Sequence, residues 1–168
     1  MKTTFKLVAF LLTITLLSCN ANLNLNDGVE GSGNVITEKR TINESFDKIS
    51  ASTGVTVIVE QGSPNDVEVE TDDNLMQYVI TKVENGTLIV KIEGNINTMS
   101  SIDVRVRMSS IVGLESTSGS RITSKNTLKG STIAVKSSSG SEIDAVLQYE
   151  NVSCESSSGS NITVAGKA

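Results

Sequence analysis

Apolar and polar residues alternate with a period of two from Val35 onward, a pattern that is typical of β-strands rather than helices. The clearest run spans residues 102–108, where Ile, Val, Val and Met alternate with Asp and two Arg residues. Such a strand places its apolar side chains on the core and its charges in solvent. Similar runs occupy residues 55–59, 67–70 and 88–92. The pattern predicts an all-β fold.

Turn signals separate these runs. Asn85-Gly86 lies directly before a strand-like run and predicts a tight hairpin turn. The one stretch that favours a helix is residues 73–83, where Asp72 or Asp73 could cap a single short turn.

The last third of the chain repeats itself. Residues 112–122, 133–143 and 152–162 align, and each contains a Ser-Gly-Ser motif whose glycines lie 21 and then 19 residues apart. A period of about 20 residues with strand-like alternation and a glycine at a corner is typical of a β-solenoid, in which each repeat forms one coil.

Stacking the repeats assigns side chains to columns. We expect outward columns of alternating charge, since opposite charges on adjacent strands are mildly favourable. Cys154 falls in an apolar column and is interpreted as a small buried hydrophobe, with a reactive thiol as the alternative. The inward columns are Val112, Ile133, Val152; Leu114, Val135, Cys154; and Ile122, Ile143, Ile162. The outward columns are Glu115, Lys136, Glu155, and Arg121 over Glu142.

The serine-rich corners have two interpretations. Glycine permits a positive φ at a tight bend, and serine hydroxyls can satisfy local backbone groups. We expect Ser116, Ser137 and Ser156 to face inward and to exchange hydrogen bonds along the stack. The functional alternative is a hydroxyl-rich face that binds glycans.

The start of the chain predicts export. Residues 1–18 have a basic beginning, Lys2 and Lys6, and an apolar run from residue 7 to 17 that is too short to span a bilayer. The run ends in Leu16-Leu17-Ser18-Cys19, which resembles a bacterial lipobox. We therefore expect cleavage before Cys19 and a lipid, such as palmitate, on its sulfur; an ordinary signal peptide is the alternative.

A polar, Asn-rich stretch follows the predicted lipidation site. Residues 19–30 suit a lipid-anchored tether, or alternatively a short edge strand, ahead of a domain at residues 31–168. The anchor places this membrane-attached protein in the cell envelope, and we favour the outer membrane or cell surface over the inner membrane.

Composition narrows the possible functions. The net charge is −5, and removal of Lys2 and Lys6 with the signal makes it more negative, which argues against nucleic acid as a partner. The chain contains no His, the commonest general base and transition-metal ligand, so we expect no metal site and no cofactor. With Cys19 lipidated, Cys154 has no partner for a disulfide.

The chain resembles the putative auto-transporter adhesin, head GIN domain family of bacterial exported proteins. The resemblance covers about residues 31–168 and rests on the order of its elements: Gly31-Ser32-Gly33-Asn34-Val35, Phe46-Asp47-Lys48-Ile49-Ser50, Val55-Thr56-Val57, Asn85-Gly86-Thr87-Leu88, and the serine-glycine coils. It implies a right-handed parallel β-helix, frequent on lipoproteins of the Bacteroidetes group, with no established enzymatic activity. Family members usually continue through further coils, so we expect this chain to be truncated at its C-terminal end.

Three functions follow from these observations. The leading one is a non-enzymatic adhesin or binding module that recognises surface glycans or host or cell-surface proteins. A pectinase-like polysaccharide lyase or hydrolase would need clustered carboxylates. The stacked repeats offer none, and Asp72-Asp73 is the only adjacent acidic pair. The third possibility is a structural solenoid that self-associates into homo-oligomers.

Overall fold

The computed structural model describes residues 28–98 and 101–167, so the predicted signal peptide and Cys19 lie outside the described residues. Within these ranges the chain is almost entirely β-structure, as the alternation predicted. The strands are β1 Val29–Glu30, β2 Val35–Lys39, β3 Lys48–Ala51, β4 Thr56–Gln61, β5 Asp66–Asp72, β6 Val79–Glu84, β7 Thr87–Ile92, β8 Ile96–Thr98, β9 Asp103–Met108, β10 Gly113–Ser116, β11 Arg121–Ser124, β12 Leu128–Ser137, β13 Glu142–Ser156 and β14 Asn161–Lys167.

The main sheet curls into a half-barrel around an apolar core. Its order is β2-β5-β9-β4-β11-β13-β12-β10-β3-β7-β6, and β14 pairs with β13. The long strand β13 contributes to both halves of the curl, because its first part pairs with β11 and its second part with β12. The inward side chains of the two halves, mostly Val, Ile and Leu, are almost fully buried. A separate pair joins β1 to β8.

The predicted right-handed parallel β-helix is wrong. The sheet is mixed: β2 and β5, β5 and β9, and β6 and β7 pair in the antiparallel direction, while the other pairs are parallel. The Asn85-Gly86 turn gives the physical reason, since a two-residue turn joins only antiparallel neighbours. Asn85 and Gly86 both have positive φ, as such a turn requires, and β6 and β7 therefore form a hairpin that no uniform coil can contain.

The three serine-glycine repeats nevertheless stack in the predicted register. Leu114 lies beside Val135 and Val135 beside Cys154, while Ile122, Ile143 and Ile162 form the second column. Outside, Glu115 lies beside Lys136 and Lys136 beside Glu155, and Arg121 lies beside Glu142. The error thus concerns the strands before the repeats rather than the repeats themselves.

The interpretation of Cys154 as a buried side chain is wrong, because it is exposed. Its register with Val135 is as expected, and Val135 is fully buried. The difference arises because the second half of β13 pairs only with β12 among the described residues, so no further strand covers its other edge and its inward side is only partly covered. The same position leaves Ser156 exposed and Val152 half-buried.

Two smaller elements refine the expectations for the rest of the chain. The helical turn expected within residues 73–83 is a 3₁₀ turn at Met76–Tyr78, and no side chain caps it. Val29 and Glu30, within the stretch interpreted as a tether, form the short strand β1.

Candidate functional site

One outer face of the half-barrel carries a dense group of ion pairs, which Glu60, Glu70 and Lys39 form with their neighbours. It is formed by β5, β9 and β4, which bury their valines on the inside and point charged residues outward. The register places Arg107 between Asp66 on β5 and Glu60 on β4. We call this surface the ionic face. It follows from strict alternation, because every second residue must point away from the core.

The charges of the ionic face bind one another. Glu60 accepts from Lys125 Nζ at 2.7 Å and lies 3.5 Å from Arg107 Nε. Arg105 donates from its two terminal guanidinium nitrogens, Nη1 and Nη2, to the carboxylate of Glu70 at 3.0 and 3.2 Å. At the edge, Lys39 Nζ lies 3.3 Å from Asp66 and the same distance from Glu68. The result is a lattice of alternating sign across several strands.

The ion pairs shift the titration of their members. The hydrogen bond from Lys125 lowers the pKa of Glu60 below its usual value; the charge of Arg107 adds to this, and partial desolvation opposes it. Arg105 likewise lowers the pKa of Glu70. The hydrogen bond to Asp66 raises the pKa of Lys39. These carboxylates and amines therefore stay charged over a wider pH range than free side chains.

A groove of about 320 Å³ runs along the ionic face. Its charged lining has equal numbers of cations and carboxylates: Arg105, Arg107, Lys125, Glu60, Asp66 and Glu68. Its walls are charged side chains, and most of them are partly exposed. Isolated exposed ion pairs are each worth about 0–1 kcal/mol, whereas a two-contact pair such as Arg105–Glu70 is held more firmly, so Arg107 and Lys125 exchange partners most readily. The arrangement can bind a polymer whose charges replace those of the neighbouring side chains.

The serine corners form a second polar feature. In each repeat a serine and the next glycine both have positive φ: Ser118 and Gly119 in the first corner, with φ of 53° and 71°. Ser120 N donates to Thr117 O at 3.2 Å and closes the turn. Glycine suits the second position because it adopts positive φ without steric cost. The other two corners repeat these angles at Ser139, Gly140, Ser158 and Gly159.

Hydrogen bonds between corners are made by a different serine from the one expected. Ser116 and Ser137 are buried as predicted, but their hydroxyls bond to Ser120 and Ser141 of their own corners. The bonds along the stack come from the serine that follows the glycine. Ser120 Oγ donates to Ala51 O at 2.8 Å, and Ser141 Oγ donates to Ser116 O at 2.6 Å.

A fourth corner completes the stack, and it lies outside the three repeats that are recognisable in the sequence. Thr53 and Gly54 have φ of 61° and 73°, and Gly54 N donates to Ser118 O. Ala51 and Val55 occupy the places that serines hold in the other corners. This corner lacks the serines of the repeats, and its glycine lies 65 residues before the glycine of the first repeat. The Thr-Gly pair after a short strand is therefore the sequence feature that could have predicted the corner.

The acidic pair considered for catalysis does not form a cluster. Asp72 is buried at the end of β5, whereas Asp73 is exposed and accepts hydrogen bonds from Ser32 and Asn34. These bonds lower the pKa of Asp73. In residues 28–98 and 101–167, no three Cys, Asp or Glu side chains converge as metal ligands would. Within the same ranges no helix is long and apolar enough to cross a membrane.

The fold is similar to those of several solved structures. A putative adhesin from Parabacteroides merdae shares 22% identity with a TM-score of 0.73; the match covers 82% of this chain and 59% of that one. A putative adhesin from Parabacteroides distasonis gives 21% identity and the same TM-score and coverage. A putative lipid binding protein from the same species gives 18% identity and a TM-score of 0.65, over 82% of this chain and 69% of that one.

The match spans less than two thirds of the two adhesin structures. No curated protein matches the chain. A family model, however, matches residues 45–168, which include most of the half-barrel and all the serine corners. The chain therefore belongs to the putative auto-transporter adhesin, head GIN domain family.

Proposed function

We propose that this chain is a non-enzymatic binding module of the cell envelope that attaches its cell to acidic glycans through the ionic face. The family description and the structures described as adhesins support a role in adhesion. The observation that carries the choice of surface is the groove lined by Arg105, Arg107 and Lys125, whose partners are half-buried carboxylates. The chain is acidic overall, but these three cations lie together, so a sulfated or carboxylated polymer can take the place of those carboxylates locally.

Adherence of intact cells tests this function. Cells that express the full chain are compared with empty-vector cells on plates coated with heparin, a sulfated glycan, and with dextran, a neutral one. We expect adherence to heparin above the level of the empty-vector cells. Adherence should decrease markedly when the salt concentration is raised to about 1 M, because the Debye length is then only about 3 Å. Adherence at the vector level on heparin would contradict the proposal.

Paired variants locate the binding surface. Arg107→Gln with Lys125→Gln removes two cations of the groove, and we expect it to abolish most of the adherence. The matched control is Lys48→Gln with Lys136→Gln, which removes two cations from the other half of the sheet, where Lys136 is paired with Glu155. Equal losses in the two double variants would refute the ionic face as the site.

The non-enzymatic part of the proposal has its own test. The purified full chain is incubated with polygalacturonate with and without Ca²⁺, and we expect no turnover. Turnover that disappears on Asp72→Asn or Asp73→Asn would overturn this part and favour a lyase.

We further propose that Cys19 carries the lipid that holds the module in the envelope. The sequence from Lys2 to Cys19 has the order of a lipoprotein signal, and lipid chains contribute about 0.8 kcal/mol per buried methylene to membrane binding. Labelled palmitate should enter the wild-type chain, and Cys19→Ser should prevent this and release the protein from the membrane fraction. Incorporation that persists in Cys19→Ser would contradict the anchor.

A further inference from the structure

The two outer strands of the curled sheet approach each other across an open seam. Strand β2 pairs only with β5, and β6 pairs only with β7, among the described residues. Arg40, directly after β2, donates from one guanidinium nitrogen to Met76 O at 3.0 Å and to Val79 O at 3.5 Å. A groove of about 490 Å³ lies between these edges, with residues 38–42 on one side and 77–81 on the other. We call this groove the seam.

The β6 side of the seam is the one suited to pairing. Strand β2 is exposed at all five positions, so it offers no partly buried side for another strand to cover. On β6, by contrast, Val79 is buried, and Thr81 and Val83 on the same side of the strand are half-buried. Strand β6 also carries charges, Lys82 and Glu84, but they alternate with its partly buried residues and point to the opposite side. Val83 packs against the core without being covered. At Val79 the backbone edge of β6 is already occupied, since its N–H donates to Met76 O and its carbonyl accepts from Arg40. A further strand would therefore pair with β6 beyond Val79, at Thr81 and Val83, and cover the partly buried side of these two residues.

The chain itself supplies a segment with the matching pattern. Residues 22–26, Asn-Leu-Asn-Leu-Asn, alternate with a period of two, so an extended conformation would place Leu23 and Leu25 on one side. This segment was interpreted above as part of a polar tether. The proposed function makes no use of the two leucines.

The point at which the described chain begins brings this segment close to the seam. Asn74 Nδ2 donates to Glu30 O at 2.8 Å, and Gln77 Nε2 donates to Asn74 O at 3.2 Å. Gln77 itself lines the seam. Eight extended residues, 20–27, reach about 26 Å, and the six residues of β6 span about 20 Å. Beyond Val79, residues 81–84 of β6 span about 13 Å, so the segment is long enough to reach the far end of the strand.

We propose that residues 22–26 add as a strand to the edge of β6 beyond Val79, with Leu23 and Leu25 against Thr81, which lines the seam, and against Val83 next to it. The occupant is a segment of the same chain because the short connection through residue 27 gives it a high effective concentration at the seam. If Cys19 carries a lipid, as proposed above, docking leaves two residues between the lipid and the added strand. The seam side of the half-barrel then faces the membrane, and the docking itself does not depend on the lipid.

Hydrogen exchange of the purified full chain, read by mass spectrometry, tests this inference. In the wild type we expect slow exchange in residues 22–26 and in β6. Leu23→Asn with Leu25→Asn should speed exchange in both segments by about 10-fold or more, because the added strand opens locally. The matched control, Asn22→Ser with Asn24→Ser, keeps both leucines and should keep the protection. Exchange in β13 serves as the check that each variant is folded.

Three results would overturn the inference. The first is free exchange of residues 22–26 in the wild type. The second is protection of β6 that is unchanged by the two leucine substitutions. The third is protection that appears only as a dimer forms at higher concentration, since the segment would then dock on a second copy. None of these outcomes depends on adherence to heparin, so this inference and the proposed function can fail separately.

Discussion

The corner serines allow a quantitative test of how the stack is held together. Ser120 is buried, and its hydroxyl donates to Ala51 O and Thr117 O at 2.8 Å and accepts from Thr117 N at 3.1 Å. Ser120→Ala removes these bonds and the 2.8 Å contact with the hydroxyl of Ser116, which keeps only its bond to Ser120 O at 3.0 Å. Thr117 N keeps a backbone bond to Ala51 O, so we expect a loss in the free energy of unfolding of about 1–2 kcal/mol.

The fourth corner, at Thr53 and Gly54, shows that the same place also accepts apolar side chains. There Ala51 and Val55 stand where Ser116 and Ser120 stand in the next coil. We therefore expect the double variant Ser116→Ala with Ser120→Val to lose less free energy of unfolding than the two single variants lose in total. Replacing both partners of a buried hydrogen bond with apolar groups can be nearly neutral, and each buried methylene contributes about 0.8 kcal/mol.

Urea unfolding of the wild type, the two single variants and the double variant measures this coupling. We expect a favourable interaction between the two changes of about 0.5–2 kcal/mol. If the double variant loses as much free energy of unfolding as the two single variants together, or more, the hydroxyl pair cannot be exchanged for an apolar pair. Such a loss would show instead that the bond from Ser120 to Ala51 O is needed to hold adjacent coils together.

Three further predictions concern the core, the ionic face and the exposed thiol. Ile143→Asp buries a charge at a fully buried position and should lower the free energy of unfolding by at least about 3 kcal/mol, whereas Glu142→Gln, pointing outward, should change it by less than about 0.5 kcal/mol in the same urea titration. The pKa values of Glu60 and Glu70 are lowered in the folded chain. These carboxyls therefore stabilise the fold at neutral pH, and this contribution is lost as the pH falls below the unfolded value of about 4.3 and through the folded pKa. The double variant Glu60→Gln with Glu70→Gln should lose less stability between pH 6 and pH 3 than the wild type, and an equal loss would contradict the role of these pairs. A thiol reagent should modify Cys154 in the native chain, and a mass spectrum in which this residue reacts only after unfolding would contradict its exposure.

The sequence predicted the register of the repeats well because two local features, the corner glycine and the alternation of apolar and polar residues, indicate the same register. The glycine at each corner fixes the position of the turn, and the alternation on either side fixes which residues point inward. A shift of one residue would turn every apolar side chain outward, so only one register is stable. The same reasoning failed for the fold as a whole because the partners of β2, β5 and β6 are determined by their hairpins and by distant strands.

The candidate site was harder to predict than the repeats. The outward charges of residues 102–108 are evident in the sequence, but their partners are not. Arg105 binds Glu70, 35 residues earlier in the chain, and Lys125 binds Glu60 across 65 residues. Neither spacing is a motif, because the sheet brings these residues together through its order of strands. The seam was equally hidden, since it exists only where the first and last strands of the curled sheet meet.

The residues that hold the fold and the residues available for binding are largely separate in this chain. The hydroxyls of Ser116, Ser120, Ser137 and Ser141 are buried and fully engaged within the stack, so a ligand cannot use them without opening the coils. The charges of the ionic face lie outside the core and are partly exposed, so their replacement should cost less stability than replacement of a corner serine. Substitutions that test binding at the ionic face should therefore leave the scaffold folded, which is why loss of adherence in such variants can be attributed to the surface itself.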